Sequence, residues 1–296
     1  MVNSAQSLDT TTGAHITSAT PRKSGSRFSM SYFFMYLVLA LGVFVAILPF
    51  FWMLSASLMT YGETATRQWL PSVPQVVNYT EAWNQAKFSK YFVNSVIITA
   101  VTLTGQLSTS ILAAYAFARI RFFGREVIFA LLLSTMMIPA MVVMIPNFIV
   151  VRNFGWLNTL QGITVPFMVS VFSIFLLRQF FAQIPGELWD AARIDGAGHL
   201  RFLIRVVLPI SKAPIFTVMI FGFIGAWNDF LWPLLITTKD TWRPMMVGLW
   251  TLQSEAGPET QLIMAASVIT IIPVLILYFI TQKQFTEGIA TSGLKG

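Results

Sequence analysis

The densest group of ionisable side chains in this chain lies between Glu187 and Lys212. Glu187, Asp190, Arg193, Asp195, His199, Arg201, Arg205 and Lys212 stand there, in a sequence that is 55% hydrophobic and only 10% charged. The string Ile184-Pro-Gly-Glu-Leu-Trp-Asp-Ala-Ala-Arg-Ile-Asp-Gly-Ala197 has the spacing of a short helix that stops at a glycine. Pro185 and Gly186 break whatever precedes it, and Leu188 to Ile194 supply about two turns. Gly196 can take the positive φ of a helix-ending turn. A second helical stretch is expected from about Gly198 to Leu208, with Leu200, Phe202, Leu203, Val206 and Val207 apolar. Such a helix–turn–helix belongs at a water boundary, and the small Ala191 and Ala192 would let another surface approach closely. An ordinary charged loop between two apolar segments is the plainer use of the same residues.

Residues for covalent or metal chemistry are scarce. The two histidines are His15 and His199, so neither a His-Glu-x-x-His zinc site nor a serine–histidine pair within an apolar segment is available. No Gly-x-x-x-x-Gly-Lys-Ser/Thr phosphate loop occurs, and ATP hydrolysis is therefore not expected in this chain. There is no cysteine, which removes disulfides and thiolate metal sites. No catalytic group, metal or cofactor is expected here. The remaining ionisable group of interest is Asp229, in Gly225-Ala-Trp-Asn-Asp-Phe-Leu-Trp-Pro-Leu-Leu235. A carboxylate near a span interior is costly unless it faces protein or water. Asn228, Asp229 and Trp232 are candidates for a translocation path, Asn228 and Trp232 offering the hydrogen-bonding group and aromatic platform that sugars favour. The alternative puts Asp229 at the outer interface, with Trp227 and Trp232 as belt aromatics.

The elements that must position these groups are membrane helices. A charged content of 10% is far below the ~25% of globular proteins. The net charge of +7 has no basic run with interleaved aromatics, so nucleic acid is not expected as a partner. Residues 1–30 read as a disordered cytoplasmic tail, ending in Arg22, Lys23 and Arg27. A charge-free run from Phe28 to Gly62 is too long for a signal-peptide core, so residues 31–58 are expected as a first, retained transmembrane helix. Residues 59–90 read as a polar external loop. Five more charge-free windows follow: Tyr91–Ala118, Val127–Val151, Asn153–Leu177, Val207–Ile236 broken at Asp229, and Thr260–Gln282. Each is near or above the ~20 residues that cross a bilayer. Pro139, Pro146 and Pro166 are expected kink points. With the N-terminus inside, thirteen Lys and Arg fall on inner segments and six on outer ones. That count favours both termini and the 185–206 loop on the cytoplasmic side. The fold class is thus all-α and polytopic, with six spans, a core over 91–285 and a short C-tail, 286–296.

The loop string resembles the cytoplasmic Glu-Ala-Ala loop of ABC-importer permeases. Its full form, Ile-Pro-x-Glu-Leu-x-Glu-Ala-Ala-x-Ile-Asp-Gly-Ala, is similar to that of carbohydrate-importer permeases such as the second permease subunit of maltose-type transporters. Asp190 stands where that family usually has Glu, and Gly198 where Ser or Thr usually caps the second helix. Asn94-Ser95, Ala113-Ala-Tyr-Ala-Phe-Ala-Arg119, Phe123-Gly124 and Trp227-Asn228-Asp229 resemble the same family. Leu177-Arg-Gln-Phe-Phe181 and Trp232-Pro-Leu-Leu-Ile236 also resemble glycerol-3-phosphate importer permeases.

The resemblance implies the type I importer permease fold in the bacterial cytoplasmic membrane. It implies a homologous second permease, an ATPase homodimer that carries ATP and Mg, an external or periplasmic solute-binding protein, and a sugar or oligosaccharide as cargo. Glu187, Asp190, Ala191, Ala192, Asp195, Gly196 and Ala197 would form the ATPase-coupling loop, and Ser292, Gly293 and Lys295 a C-tail contact with the ATPase. Glycerol 3-phosphate is the alternative cargo. An ion-coupled secondary transporter is the alternative class, for which the sequence offers no coupling-ion ligands and no inverted repeat.

Overall fold

The computed structural model of the protein describes residues 30–255 and 259–292, without the side chains of residues 31, 254–255 and 283–292. The expected N-tail, apart from Met30, and Gly293 and Lys295 of the expected C-tail contact lie outside the described residues. Among the described residues every regular element is helical. Lipid imposes this, because a span must satisfy its own backbone N–H and C=O groups.

Helix α1 (Met30–Ser57) is continuous through Pro49. Residues up to Leu48 form one unit and those from Pro49 onward a second. In the first unit every described side chain is exposed, Phe33 and Phe44 among them. An apolar helix with no buried face suits contact with lipid chains or a partner helix.

The second unit begins with a packed connector where a polar loop is expected. Thr60 and Glu63 form a reciprocal capping box at the start of α2 (Tyr61–Ala65), which satisfies two orphan N–H groups at once. Glu63 also accepts from the Ser72 N–H at 2.8 Å. Helix α3 (Val77–Gln85) follows, and Asn78 at its start donates to the carbonyls of Ser57 and Met59 at 2.9 and 2.8 Å. Ala82, Ala86 and Phe88 are buried in one cluster with Tyr91, Trp227, Met245 and Leu262. The residues of 59–90 are polar on average but amphipathic in detail, so they fold onto the bundle.

Helix α4 (Phe88–Arg119) is the axis of this unit, and α8 and α12 pack along it. Its 32 residues span about 48 Å at 1.5 Å per residue. Its buried face is mixed: Asn94, Ser95, Thr99, Thr102 and Ser110 beside Ile98, Ala114, Tyr115 and Phe117. Close packing depends on small residues, as it does where lipid supplies no hydrophobic drive between helices. A Cβ built on Gly222 of α12 would stand 2.8 Å from Leu103 Cδ1 of α4.

Six spans result only if three bent helix pairs each count as one. Helices α5 (Arg125–Thr135) and α6 (Ala140–Asn153) meet at 100°, so the Val127–Val151 window is a sharp break rather than a kinked rod. Pro139 sits at that break, where it can supply no N–H to the preceding turn. The next span begins at Leu160, not Asn153. Residues 154–159 turn instead, with Gly155 at φ +71° and Asn158 at φ +59°. Helix α7 (Leu160–Thr164) and a 3-10 turn at Val165–Phe167 bend by 42° into α8 (Val171–Gln183).

Helix α9 (Gly186–Ile194) precedes α10 (His199–Phe202), a π turn at Leu203–Val207 and α11 (Leu208–Ile210). The chain then turns through 84° at Ser211 into α12 (Lys212–Trp227). The expected Val207–Ile236 span is therefore interrupted twice, at Ser211 and again at 228–230 before α13 (Leu231–Ile236). Helix α14 (Met245–Glu255) and the long α15 (Thr260–Ser292) complete the unit. Helix α15 continues well beyond Gln282, so most of the expected C-tail is helical.

Candidate functional site

The charged loop is a rigid hairpin, and hydrogen bonds explain why. Helix α9 ends at Ile194 with Asp195 as its cap, Gly196 takes φ +72°, and the N–H groups of Ala197 and Gly196 bond back to the carbonyls of Ala192 and Arg193 at 2.8 and 3.0 Å. This paired closure satisfies carbonyls that a helix end otherwise leaves bare. Gly198 then precedes α10 with no side-chain cap.

The inner face of the hairpin is aromatic. Trp189 stacks on the His199 ring at 4.4 Å and 14° and meets Phe202 edge-on at 5.1 Å. His199 Nδ1 lies 2.9 Å from the Tyr115 hydroxyl of α4. Ala192 packs against the buried cluster of Ala114, Tyr115, Phe181 and Phe202. The outer face carries Glu187, Asp190, Ala191, Asp195 and Gly196, all exposed, with Ile194 87% exposed. Ala197 is half-buried.

Two arginines fasten the end of α8, which leads into this hairpin, to its neighbours. Arg119, the last residue of α4, donates from Nε to the Phe181 carbonyl at 3.0 Å and reaches the Ile184 carbonyl from its terminal nitrogen. Both acceptors close the end of α8 just before the loop. Arg178 lies over the Phe129 ring at 4.0 Å and pairs with Glu126 at 3.1 Å, joining α8 to α5. The sequence reading did not single out Tyr115, Arg119 or Arg178 as loop supports. Tyr115 and Arg119 fall in the Ala113–Arg119 string and Arg178 in the Leu177–Phe181 string, but nothing local in either string points to the loop.

A cavity of about 430 Å³ opens farther along α4. Thr102 and Gln106 of α4, Phe167, Ser170, Phe221 and Gly225 of α12, and Asp229 all line it. Gln106 Nε2 donates to Ser173 Oγ at 3.0 Å, and the Ser173 N–H donates to Ser170 Oγ at 3.2 Å.

Of the three residues expected on a translocation path, only Asp229 lines this cavity. Trp232 is buried behind the wall. Its Nε1 donates to the Gly162 carbonyl at 3.1 Å, and Phe167 meets it edge-on at 5.7 Å. Asn228 is exposed but lies outside the lining. Phe167 and Phe221 are the aromatic surfaces that the cavity does present. Trp227 is buried as well, stacks on Phe223, and donates to the Thr270 carbonyl at 3.1 Å. Ser292 is the last described residue of α15.

Known proteins share this architecture. Residues 106–290 match the family model of the binding-protein-dependent transport system inner membrane component. The sn-glycerol-3-phosphate transport system permease protein UgpE of Yersinia pestis bv. Antiqua is 33% identical over 269 residues, covering 88% of this chain and 96% of that protein. The diacetylchitobiose uptake system permease protein NgcG of Streptomyces coelicolor is 32% identical over 252 residues, 83% of each chain. Among solved structures, a chain of a bacterial ABC transporter involved in the import of the acidic polysaccharide alginate superposes with a TM-score of 0.76. It is 26% identical, and the match covers 86% of this chain and 98% of that one. A family match over more than half the chain, an all-helical bundle with up to six spans and the shared importer fold agree. The chain belongs to the family of inner-membrane components of binding-protein-dependent transport systems.

Proposed function

We propose that this chain is one of two homologous permease subunits of an ATP-driven carbohydrate importer, with the α9 hairpin as its contact to an ATPase homodimer. The observation that carries the reading is the two-sided construction of that hairpin. Its inner face is locked through Trp189, His199 and Tyr115, while its outer face offers Ile194 with Glu187, Asp190 and Asp195. Firm attachment on one side and an open, mixed surface on the other suit transmission of force. ATP and Mg are bound by the ATPase, and its closure drives the hairpin. The hairpin then moves α4 and α8 as bodies, a rigid-body switch that needs no chemistry here. Asp190 pairs with a cation of the ATPase cleft, and Ser292, Gly293 and Lys295 add a second contact.

Both chain ends lie on the cytoplasmic side, supported by the excess of Lys and Arg on inner segments. A solute-binding protein delivers cargo from the opposite face. The names of the relatives span glycerol 3-phosphate, diacetylchitobiose and an acidic polysaccharide, so the family leaves the charge of the cargo open.

The test is purification from membranes in mild detergent, followed by mass spectrometry of the accompanying chains. Recovery of an ATPase and a second polytopic permease is the expected result. A homogeneous homo-oligomer with no ATPase would overturn the reading in favour of a self-contained transporter.

A further inference from the structure

We propose that the cavity beside Asp229 is a cargo subsite for neutral, hydroxyl-rich ligands, and that Asp229 sets its sign by turning anions away. The proposal rests on the importer reading above and adds the cargo's charge, which that reading leaves open.

The cavity has the makings of a sugar site. Thr102, Gln106, Ser170 and Asp229 supply hydroxyl, amide and carboxylate groups, and Phe167 and Phe221 supply apolar faces. Its volume of about 430 Å³ falls in the ~300–1,000 Å³ range of small-molecule pockets. None of its lining residues is Lys, Arg or His. Among the described residues no ion pair involves Asp229 either. With no cation beside its carboxylate among the described residues, its charge is not cancelled by a neighbour. A sugar hydroxyl gains a charge-assisted hydrogen bond from such a group. A phosphate or carboxylate about 6 Å away, at an effective dielectric near 20, is disfavoured by roughly two orders of magnitude in occupancy.

Room for a ligand is kept by Gly225, one turn before Asp229. A Cβ built there meets no atom within 4 Å. The Cβ of any larger residue would therefore enter open space without disturbing the packing of α12.

The absence of cysteine allows a test that needs no knowledge of the natural cargo. Ser170→Cys places a single thiol in this chain at the cavity wall. In the complete complex purified from membranes, it is labelled with anionic sulfonatoethyl, cationic trimethylammonioethyl and neutral methyl methanethiosulfonates. Intact mass of this chain gives the rates, each divided by that for free 2-mercaptoethanol. The ratio of cationic to anionic rates cancels any change in thiol reactivity.

That ratio is expected at roughly 100-fold or more, because the field that disfavours the anion favours the cation, to collapse towards one with Asp229→Asn, and to invert with Asp229→Lys. A ratio near one in the parent, or one unchanged by Asp229→Asn, would overturn the proposal. Protection of the thiol by millimolar glycerol 3-phosphate would also overturn it. So would inertness to all three reagents both at position 170 and in a Thr102→Cys variant, because the cavity would then be unreachable. Loss of the importer reading shows separately, as a purified complex without an ATPase, and leaves the charge ratio measurable.

Discussion

At Gly196 the hairpin depends on one backbone angle. A φ of +72° lies far from the roughly −65° that proline requires. Alanine there meets no neighbour within 4 Å and has only the left-handed backbone to overcome, about 1 kcal/mol. Gly196→Ala is therefore expected to keep uptake within a few-fold of the parent. Gly196→Pro should insert normally yet hydrolyse ATP without moving cargo; transport per ATP in proteoliposomes checks both, and parental coupling in the proline variant would remove α9 from the coupling path. Glu63 shows a different single-residue dependence. The backbone N–H groups of Thr60 and Ser72 hold its carboxyl down at about 2, against an ordinary 4.5. The folded value lies below the unfolded one, so this contribution is complete above about pH 4.5 and is lost as pH falls towards about 2. Protease resistance of the connector should fall across that window, and in Glu63→Gln it should be lower at pH 7 and flat through the window.

Among the elements, the consequential contacts are helix against helix. Trp189→Ala removes the ring that joins α9 to α10, and through His199 to α4. The expected effect is a loss of about 2 kcal/mol of anchoring, read as faster proteolysis within 185–206 and weaker retention of the ATPase on purification. Two glycines of one helix give opposite expectations. In Gly222→Val the new side chain meets Leu103 and Gln106, and overpacking of this kind costs about 1–3 kcal/mol, visible as a lower Tm in detergent. Gly225→Leu should leave Tm unchanged and block uptake by filling the cavity.

The hairpin was legible in the sequence because its signals are local: Pro185 before the helix, Gly196 after it, and ionisable groups in an apolar chain. The cavity was legible only at Asp229. Whether Trp232 faces a ligand or a neighbouring helix depends on the rotation of α13 against α7, which no local pattern encodes. The breaks were read as prolines but not as angles, since Pro139 announces a discontinuity while the 100° between α5 and α6 is set by packing.

For the whole molecule, hydropathy was enough to find the apolar windows but not the breaks within them, because lipid penalises charge and says nothing of helix direction. It could not find the connector at 59–90, whose helices are short and gain their stability from burial of Ala82, Ala86 and Phe88. The same burial makes α4 the common neighbour of elements from both ends of this unit, and its polar groups find their partners late in the chain. Ser95 Oγ accepts from the Met245 N–H, 150 residues downstream. Asn94 donates to the carbonyls of Thr241 and Arg243, and Gln106 to Ser173. At roughly 5–20 residues per second of synthesis, α4 enters the bilayer many seconds before these acceptors and donors exist. The nascent chain thus passes through an interval in which its central helix presents bare amide and hydroxyl groups to lipid. Its biogenesis calls for the insertion machinery, or an early partner subunit, to shelter α4 until α14 has emerged.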